Sequence, residues 1–192
     1  IDSFSDLHYQ APDGKLESIP PTTGGRSPTA GHPTQPKEET MAQPVRGFPS
    51  TFSNGYQLNV INILRQAARS YGRQEIVACH PAGRTRTTYA ATYARVQRLG
   101  NALKGLKVGL GDRIGVLDWN SLRHFEAYYG IPGYGAVLLL LNIRLAPPDL
   151  SFVINHAGAR LILVDETLLP IAEAVAPSCP GVEGWVILSG RP

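Results

Sequence analysis

The sequence predicts an α/β fold: a mostly parallel, helix-covered sheet preceded by a helix and a β-hairpin. Four short apolar runs predict the sheet. They are RIGVLD (113–118), AVLLLL (136–141), RLILVD (160–165) and GWVILS (184–189), evenly spaced along the second half of the chain. Each is long enough for a buried strand and too short to cross a bilayer. Each gap has room for one helix and two turns, the pattern of parallel strands joined by covering helices. The third observation is compositional. Residues 1–56 are rich in Pro, Gly, Ser and Thr with almost no periodicity, whereas the apolar core residues begin near 57.

The stretch SIPPTTGGRSPTAGHPTQP buries too little apolar surface to offset the entropy of ordering it, so 1–56 is expected to be a flexible tail. Met41 is the single methionine and stands where the composition changes. Two readings of 1–40 stay open: a native tail, or a non-native addition before a natural start at Met41. The spacing of Val60, Ile61, Leu64, Ala67, Ala68 and Tyr71 predicts a helix over 57–71, ended by Gly72 through positive φ. EIVACH (75–80), the turn PAGR and TRTTY then predict the hairpin. Thr88 is placed to cap a helix carrying Tyr89, Tyr93, Val96, Leu99, Leu103 and Leu106 on one face. Arg95, Arg98, Asn101 and Lys104 form its opposite, solvated face.

After the strand at 113–118, Asn120 or Ser121 can cap a helix through Tyr129, finished by Pro132 and Gly133. The run at 136–141 has no polar residue, as expected of a strand buried on both faces. Pro147-Pro148-Asp149 opens the next helix and Gly158 closes it. Asp165 is placed to cap a last helix through Leu168, Ile171 and Val175, which Pro177 ends.

Composition limits the partners. The formal charge is +3, with Lys and Arg scattered, and no aromatic–basic alternation or helix-turn-helix pattern points to nucleic acid. Cys79 and Cys179 lack metal-ligand neighbours at standard spacing. Cys79, in an apolar strand, is expected to be buried, and Cys179, in the turn PSCPG, exposed. No basic-then-apolar leader opens the sequence, so cytoplasmic residence is the default expectation, without a transmembrane segment.

An open α/β sheet binds ligands beyond the carboxyl ends of its strands. That edge offers Trp119 and His124 after the first parallel strand, and Asn142 and Arg144 after the second. Arg144 can pair with an anion or hold its loop through carbonyls. His124 and Glu126, two apart on a helix, point to different faces and make no metal pair. The glycines of GLGD (109–112) precede a strand rather than follow one, so they read as a turn and not as a phosphate loop. Asp118 and Asp165 sit at carboxyl ends without a partner motif, and no nucleophile elbow is present.

Three runs in order carry a family resemblance. RTTYAATYARVQRLGNAL (86–103), VGLGDRIGVLDWNSLRHFEAYYGIPGYGAV (108–137) and LNIRLAPPDLSFVINHAGARLILVD (141–165) resemble the opening of AMP-forming acyl-CoA synthetases, closest to medium- and long-chain fatty-acyl-CoA ligases. The resemblance implies that 57–192 is the first part, truncated, of the large N-terminal domain of an adenylate-forming enzyme. It implies an intact protein that joins a carboxylic acid to CoA through an acyl-adenylate, using ATP, magnesium and CoA. The family's phosphate loop, ribose anchor and C-terminal lysine lie downstream, so no catalytic, cofactor-binding or metal residue is expected here. Trp119, Asn120, His124 and Asn142 fit the family pattern; with Arg144 they are expected on the substrate side or in structural roles.

Three departures stand out. Lys107 replaces a usual Gly, Leu110 replaces a frequent Pro, and Leu139-Leu140 replaces a His-Thr pair. The partner implied for the last strand's exposed face is the remainder of the domain or a second copy. The alternative reading is a small, non-catalytic binding or assembly module built on the same scaffold.

Overall fold

The computed structural model of the chain describes residues 8–10, 16–18, 58–80 and 83–189. Most of the expected tail, and the question raised by Met41, lie outside these residues. Two three-residue strands fall within that stretch, β1 (His8–Gln10) and β2 (Leu16–Ser18). Periodicity gave no sign of them. The remaining elements run α1 (Ile61–Ser70), β3 (Glu75–His80), β4 (Gly83–Thr88), α2 (Tyr89–Gly105), β5 (Arg113–Leu117), α3 (Leu122–Tyr134), β6 (Val137–Leu140), α4 (Pro147–Ala157), β7 (Leu161–Asp165), α5 (Leu169–Val175) and β8 (Gly184–Leu188).

The main sheet has the order β2-β1-β8-β7-β5-β6, and β3-β4 forms a separate antiparallel hairpin. β5, β6, β7 and β8 are mutually parallel, joined by helices as predicted. β1 and β2 add antiparallel at the β8 edge. Alternation along the strands divides the core in two. Ile114, Val116, Leu161, Leu163, Val186 and Leu188 meet Leu99 and Leu103 of α2 and Ile131 of α3 on one face. Leu117, Ile162 and Val164 meet Leu150 and Ile154 of α4 and Val175 after them on the other. Period-two alternation between two apolar faces is what a doubly covered strand requires.

Caps act where the sequence placed them at three helix starts. Thr88 Oγ1 accepts from Ala91 N, Ser121 Oγ from His124 N, and Asp165 Oδ1 from Thr167 N. Gly158 closes α4 in the left-handed region with φ +62.

Several expectations are corrected. The run at 136–141 is not buried on both faces: β6 is an edge strand, and Val137 and Leu140 are about half exposed (49% and 48%). Apolar content alone cannot separate an edge strand from a central one. α3 does not stop before Pro132; it runs through it to Tyr134 and closes at Gly135, φ 103, whose N–H reaches the Ile131 and Pro132 carbonyls. Proline in the last turn removes one amide bond without breaking the helix's body. Gly133 serves packing instead, since a Cβ there would lie 3.0 Å from Ile61 Cβ. Gly72 does not adopt positive φ; a Cβ there would lie 2.5 Å from the Ala68 carbonyl oxygen, so close approach is its role. The cysteines are reversed. Cys79 is exposed because the hairpin stands off the main sheet and only its neighbour Ala78 turns inward. Cys179 is buried with the α4–α5 core, where burial pushes its thiol pKa up. Arg95 does not sit on a solvated face. Its guanidinium grips Glu126 of α3 bidentately, Nε on Oε1 and Nη2 on Oε2 at 3.1 Å. Glu126 is 1% exposed; its desolvation raises its pKa, and Arg95 opposes that rise.

The amino edge of the sheet is tied by Arg160, at the start of β7. Its Nε donates to Glu183 Oε2 at 2.7 Å, and Nη1 donates to the Lys107 carbonyl at 2.8 Å and to Asp112. Asp112 Oδ2 also accepts from Gly109 N at 2.7 Å, which makes GLGD the turn expected. Lys107 itself has φ +55, the one described non-glycine residue at positive φ.

Three stability changes are expected, each measurable by denaturant unfolding. Lys107→Gly should stabilise by up to about 1 kcal/mol, because it relieves a left-handed side-chain clash. Gly115→Ala should destabilise by about 1–3 kcal/mol, because its Cβ would lie 2.4 Å from Ile162 Cδ1 in the packed core. Arg95→Ala should destabilise by about 3 kcal/mol, because it strands the buried Glu126 carboxylate. A neutral effect of Arg95→Ala would show that the pair contributes nothing to holding α2 against α3.

Candidate functional site at the carboxyl edge of the sheet

Four parallel strands end on the same side and deliver three described loops there: 118–121 after β5, 141–146 after β6, and 165–168 after β7. Parallel direction alone brings together residues far apart in sequence. The first two loops carry three of the four residues singled out from the sequence, Trp119, Asn142 and Arg144, and the fourth, His124, follows in the first turn of α3.

Trp119 follows β5 and is half exposed (50%). Its indole N–H donates to the Thr167 hydroxyl at 2.9 Å. That hydroxyl donates to Asp165 Oδ1 at 2.5 Å. Asp165 Oδ2 accepts from Arg123 Nη2 at 2.8 Å. The loop after β5, the loop after β7 and the first turn of α3 are thereby joined through one carboxylate. An aromatic ring held by its polar end keeps one face of its apolar body available to a ligand.

Asp118, the residue before Trp119, is buried, 5% exposed. Its Oδ2 accepts from the Ser121 hydroxyl at 2.6 Å, and its Oδ1 has no hydrogen-bond partner. Burial raises its pKa first; Ser121 opposes, the neighbouring Asp165 charge raises it further, and Arg123 and His124 lower it. His124 lies in the first turn of α3, partly buried, with Nδ1 enclosed and unpartnered.

Asn142 and Arg144 occupy the loop after β6, and both are exposed. The Asn142 side chain turns back to accept the Arg144 N–H at 3.0 Å, an Asx-type turn that shapes the loop. The Arg144 guanidinium makes no ion pair among the described residues. Leu139, where the family resemblance implies a His, packs on the α4–α5 core, and Leu140 is half exposed.

The structure thus brings Trp119, Asn142 and Arg144 to one edge, with His124 partly buried in the first turn of α3. Arg123 and Thr167 were missed by sequence reasoning. Thr167 joins Trp119 across 48 residues, so no local spacing could reveal it. Among the described residues no three or more His, Cys, Asp or Glu gather to hold a metal ion. What the edge presents is an aromatic ring, a carboxamide and a guanidinium: groups that bind and orient, with the buried Asp165 holding Trp119 through Thr167.

The sequence profile of a family described as AMP-binding enzyme matches residues 64–189. The long-chain-fatty-acid–CoA ligase of Thermus thermophilus is 41% identical over 148 residues, which is 77% of this chain and 27% of that protein. The medium-chain-fatty-acid–CoA ligase of Ectopseudomonas oleovorans is 34% identical over 134 residues, covering 69% and 24% respectively. Among solved structures, the N-terminal domain of FACL13 from Mycobacterium tuberculosis aligns with a TM-score of 0.61 at 29% identity, over 68% of this chain and 34% of that one. The chain therefore spans about a quarter of the length of the curated relatives it matches.

Asp118 generates a pH prediction. A carboxyl whose folded pKa lies above its ordinary 3.8 binds more protons folded than unfolded. Its contribution to stability is therefore greatest below that value and is lost as pH rises through the folded pKa. Asp118→Asn removes the titration, so the variant should gain stability relative to the parent as pH climbs from about 4 toward neutral. Urea titrations at several pH values check this; a difference that shrinks with rising pH contradicts it.

Proposed function

This chain belongs to the AMP-binding enzyme family, and we propose that it is the N-terminal part of the large domain of a fatty-acid–CoA ligase. In this reading residues 57–192 supply the opening α/β layers, and the preceding stretch adds β1 and β2 at the β8 edge. The intact protein activates a carboxylic acid with ATP through an acyl-adenylate and passes the acyl group to CoA. The observation that carries the reading is the coincidence of the family match, 64–189, with the parallel sheet and its carboxyl-edge loops.

Adenylation places a carboxylate next to a triphosphate, so it requires charge stabilisation, ordinarily with magnesium, and exclusion of water. The described residues contribute binding surface to that task. Trp119, braced by Thr167, offers a flat apolar wall suited to an acyl chain or an adenine. Arg144 offers an exposed cation for a carboxylate or phosphate. Asn142 fixes the loop that carries Arg144, and His124, in the first turn of α3, takes a substrate-side or structural role. Phosphate, ribose and magnesium contacts are assigned to residues beyond this chain. No described helix is long and apolar enough to cross a membrane, and cytoplasmic residence is part of the proposal.

Acyl-AMP formation tests the reading. A protein carrying this segment within a full ligase-length reading frame should form acyl-AMP and then acyl-CoA from ATP, CoA and a fatty acid, detected by mass spectrometry. The 192-residue chain alone should form neither. Trp119→Ala in the longer protein should raise the KM for fatty acid several-fold with a smaller change in kcat. Acyl-AMP made by the 192-residue chain would overturn the division of labour. Absence of both products from the longer protein would favour a binding module instead.

A further inference from the structure

β8 reads GWVIL, with no charge and no proline, and it lies against β7 over five residue pairs from Leu161↔Gly184 to Asp165↔Leu188. An apolar strand of this kind, left at a sheet edge, is a template for pairing with another chain. Its outer edge is instead occupied by β1, in three antiparallel pairs: His8↔Ile187, Tyr9↔Val186 and Gln10↔Trp185. β1 is in turn paired with β2 over three residues. A hairpin of two such short strands has little stability by itself, so its order depends on β8. The pairing is also remote in sequence from everything else that β8 touches.

A second feature lies beside the same edge. Trp185 and Ile187, both partly exposed, open onto an apolar groove of about 440 Å3 lined further by Leu169, Ala172, Pro177 and Val182. Backbone groups along a strand edge and an adjacent pocket for alternate side chains are the two ingredients of strand addition. The opposite edge, β6, is also apolar but carries no such partner strand among the described residues.

We propose that the β8 edge is a strand-acceptor site and that the chain's own N-terminal hairpin is its resident, removable cap, seated in the same molecule and blocking edge-to-edge self-association. The proposal concerns the edge of the sheet and not the carboxyl ends of its strands, so its failure would leave the ligase reading standing. With β1 in place, β8 is satisfied on both sides. With β1 detached, a second copy can bring its own β8 alongside antiparallel, an isologous contact in which no like charges meet along 184–188.

Two experiments decide it on the full 192-residue chain. The first replaces Gln10 and Trp185 by cysteine in a Cys79→Ser, Cys179→Ser background, because directly opposed antiparallel residues lie within disulfide reach and Cys179 lines the same groove as Trp185. A disulfide within one molecule is expected under mild oxidation. A disulfide found only between molecules, or none, overturns the proposal. The second removes two consecutive amide donors from β1 with His8→Pro and Tyr9→Pro, so that a donor toward β8 is lost in either pairing phase. Light scattering should then show a doubling of mass relative to the parent at equal concentration. Adding Ile187→Lys, a charge on the edge strand, should reverse it. An unchanged mass overturns the proposal. If amide exchange shows that β5 and β7 are no longer protected in the proline variant, that variant has lost its fold and the cysteine pair alone decides.

Discussion

Burial of β5 and β7 on both faces is the constraint on which the rest of the structure depends. Their residues alternate between two apolar layers, and both layers must be covered before either strand can leave water. Ile114, Val116, Leu161 and Leu163 demand α2 and α3; Leu117, Ile162 and Val164 demand α4 and the segment after it. Right-handed parallel crossovers are the standard way to alternate cover between two faces. Once that arrangement is adopted, every strand ends on the same side. The loop after each strand is then carried to one edge regardless of its own preference. The candidate site is therefore a consequence of how the core is covered.

Polar groups refine what burial establishes. Arg95 and Glu126 lock α2 to α3 inside the apolar layer, and Arg160 ties the amino edge through Glu183, Asp112 and the Lys107 carbonyl. The carboxyl edge is tied instead by Asp165, shared between Arg123 and Thr167, with Trp119 hung from Thr167. The two edges differ in a way that bears on function. At the amino edge the charges neutralise one another in a closed turn. At the carboxyl edge the ties converge on the buried Asp165 and leave half of the indole and the Arg144 cation outward.

Much of this was legible in the sequence. Short continuous apolar runs identified all four parallel strands within a residue of their ends, and the caps at Thr88, Ser121 and Asp165 were read from residue type alone. What escaped were features that depend on neighbours distant in the chain. An all-apolar run looks the same at an edge as in the centre, so β6 was misplaced. Local composition misjudged both cysteines, because exposure followed from the hairpin standing apart and from Cys179 tucking under α5. β1 and β2 are too short for any period to register. The site was legible as an edge, through Trp119, Asn142 and Arg144, but not as a network, because the Trp119–Thr167 and Arg123–Asp165 contacts span long separations. The Lys107 departure from the family's glycine, by contrast, matched a backbone in the left-handed region.

The central proposal is that the carboxyl edge of the sheet, and not the amino edge, faces ligand. Hydrogen exchange on a ligase-length protein, with and without a non-hydrolysable acyl-adenylate analogue, tests this most directly. The account predicts slower exchange on binding in the loops at 118–124 and 142–145, with no change around 107–112 and 158–160. Protection at the amino-edge turns, with none at the carboxyl-edge loops, would contradict it.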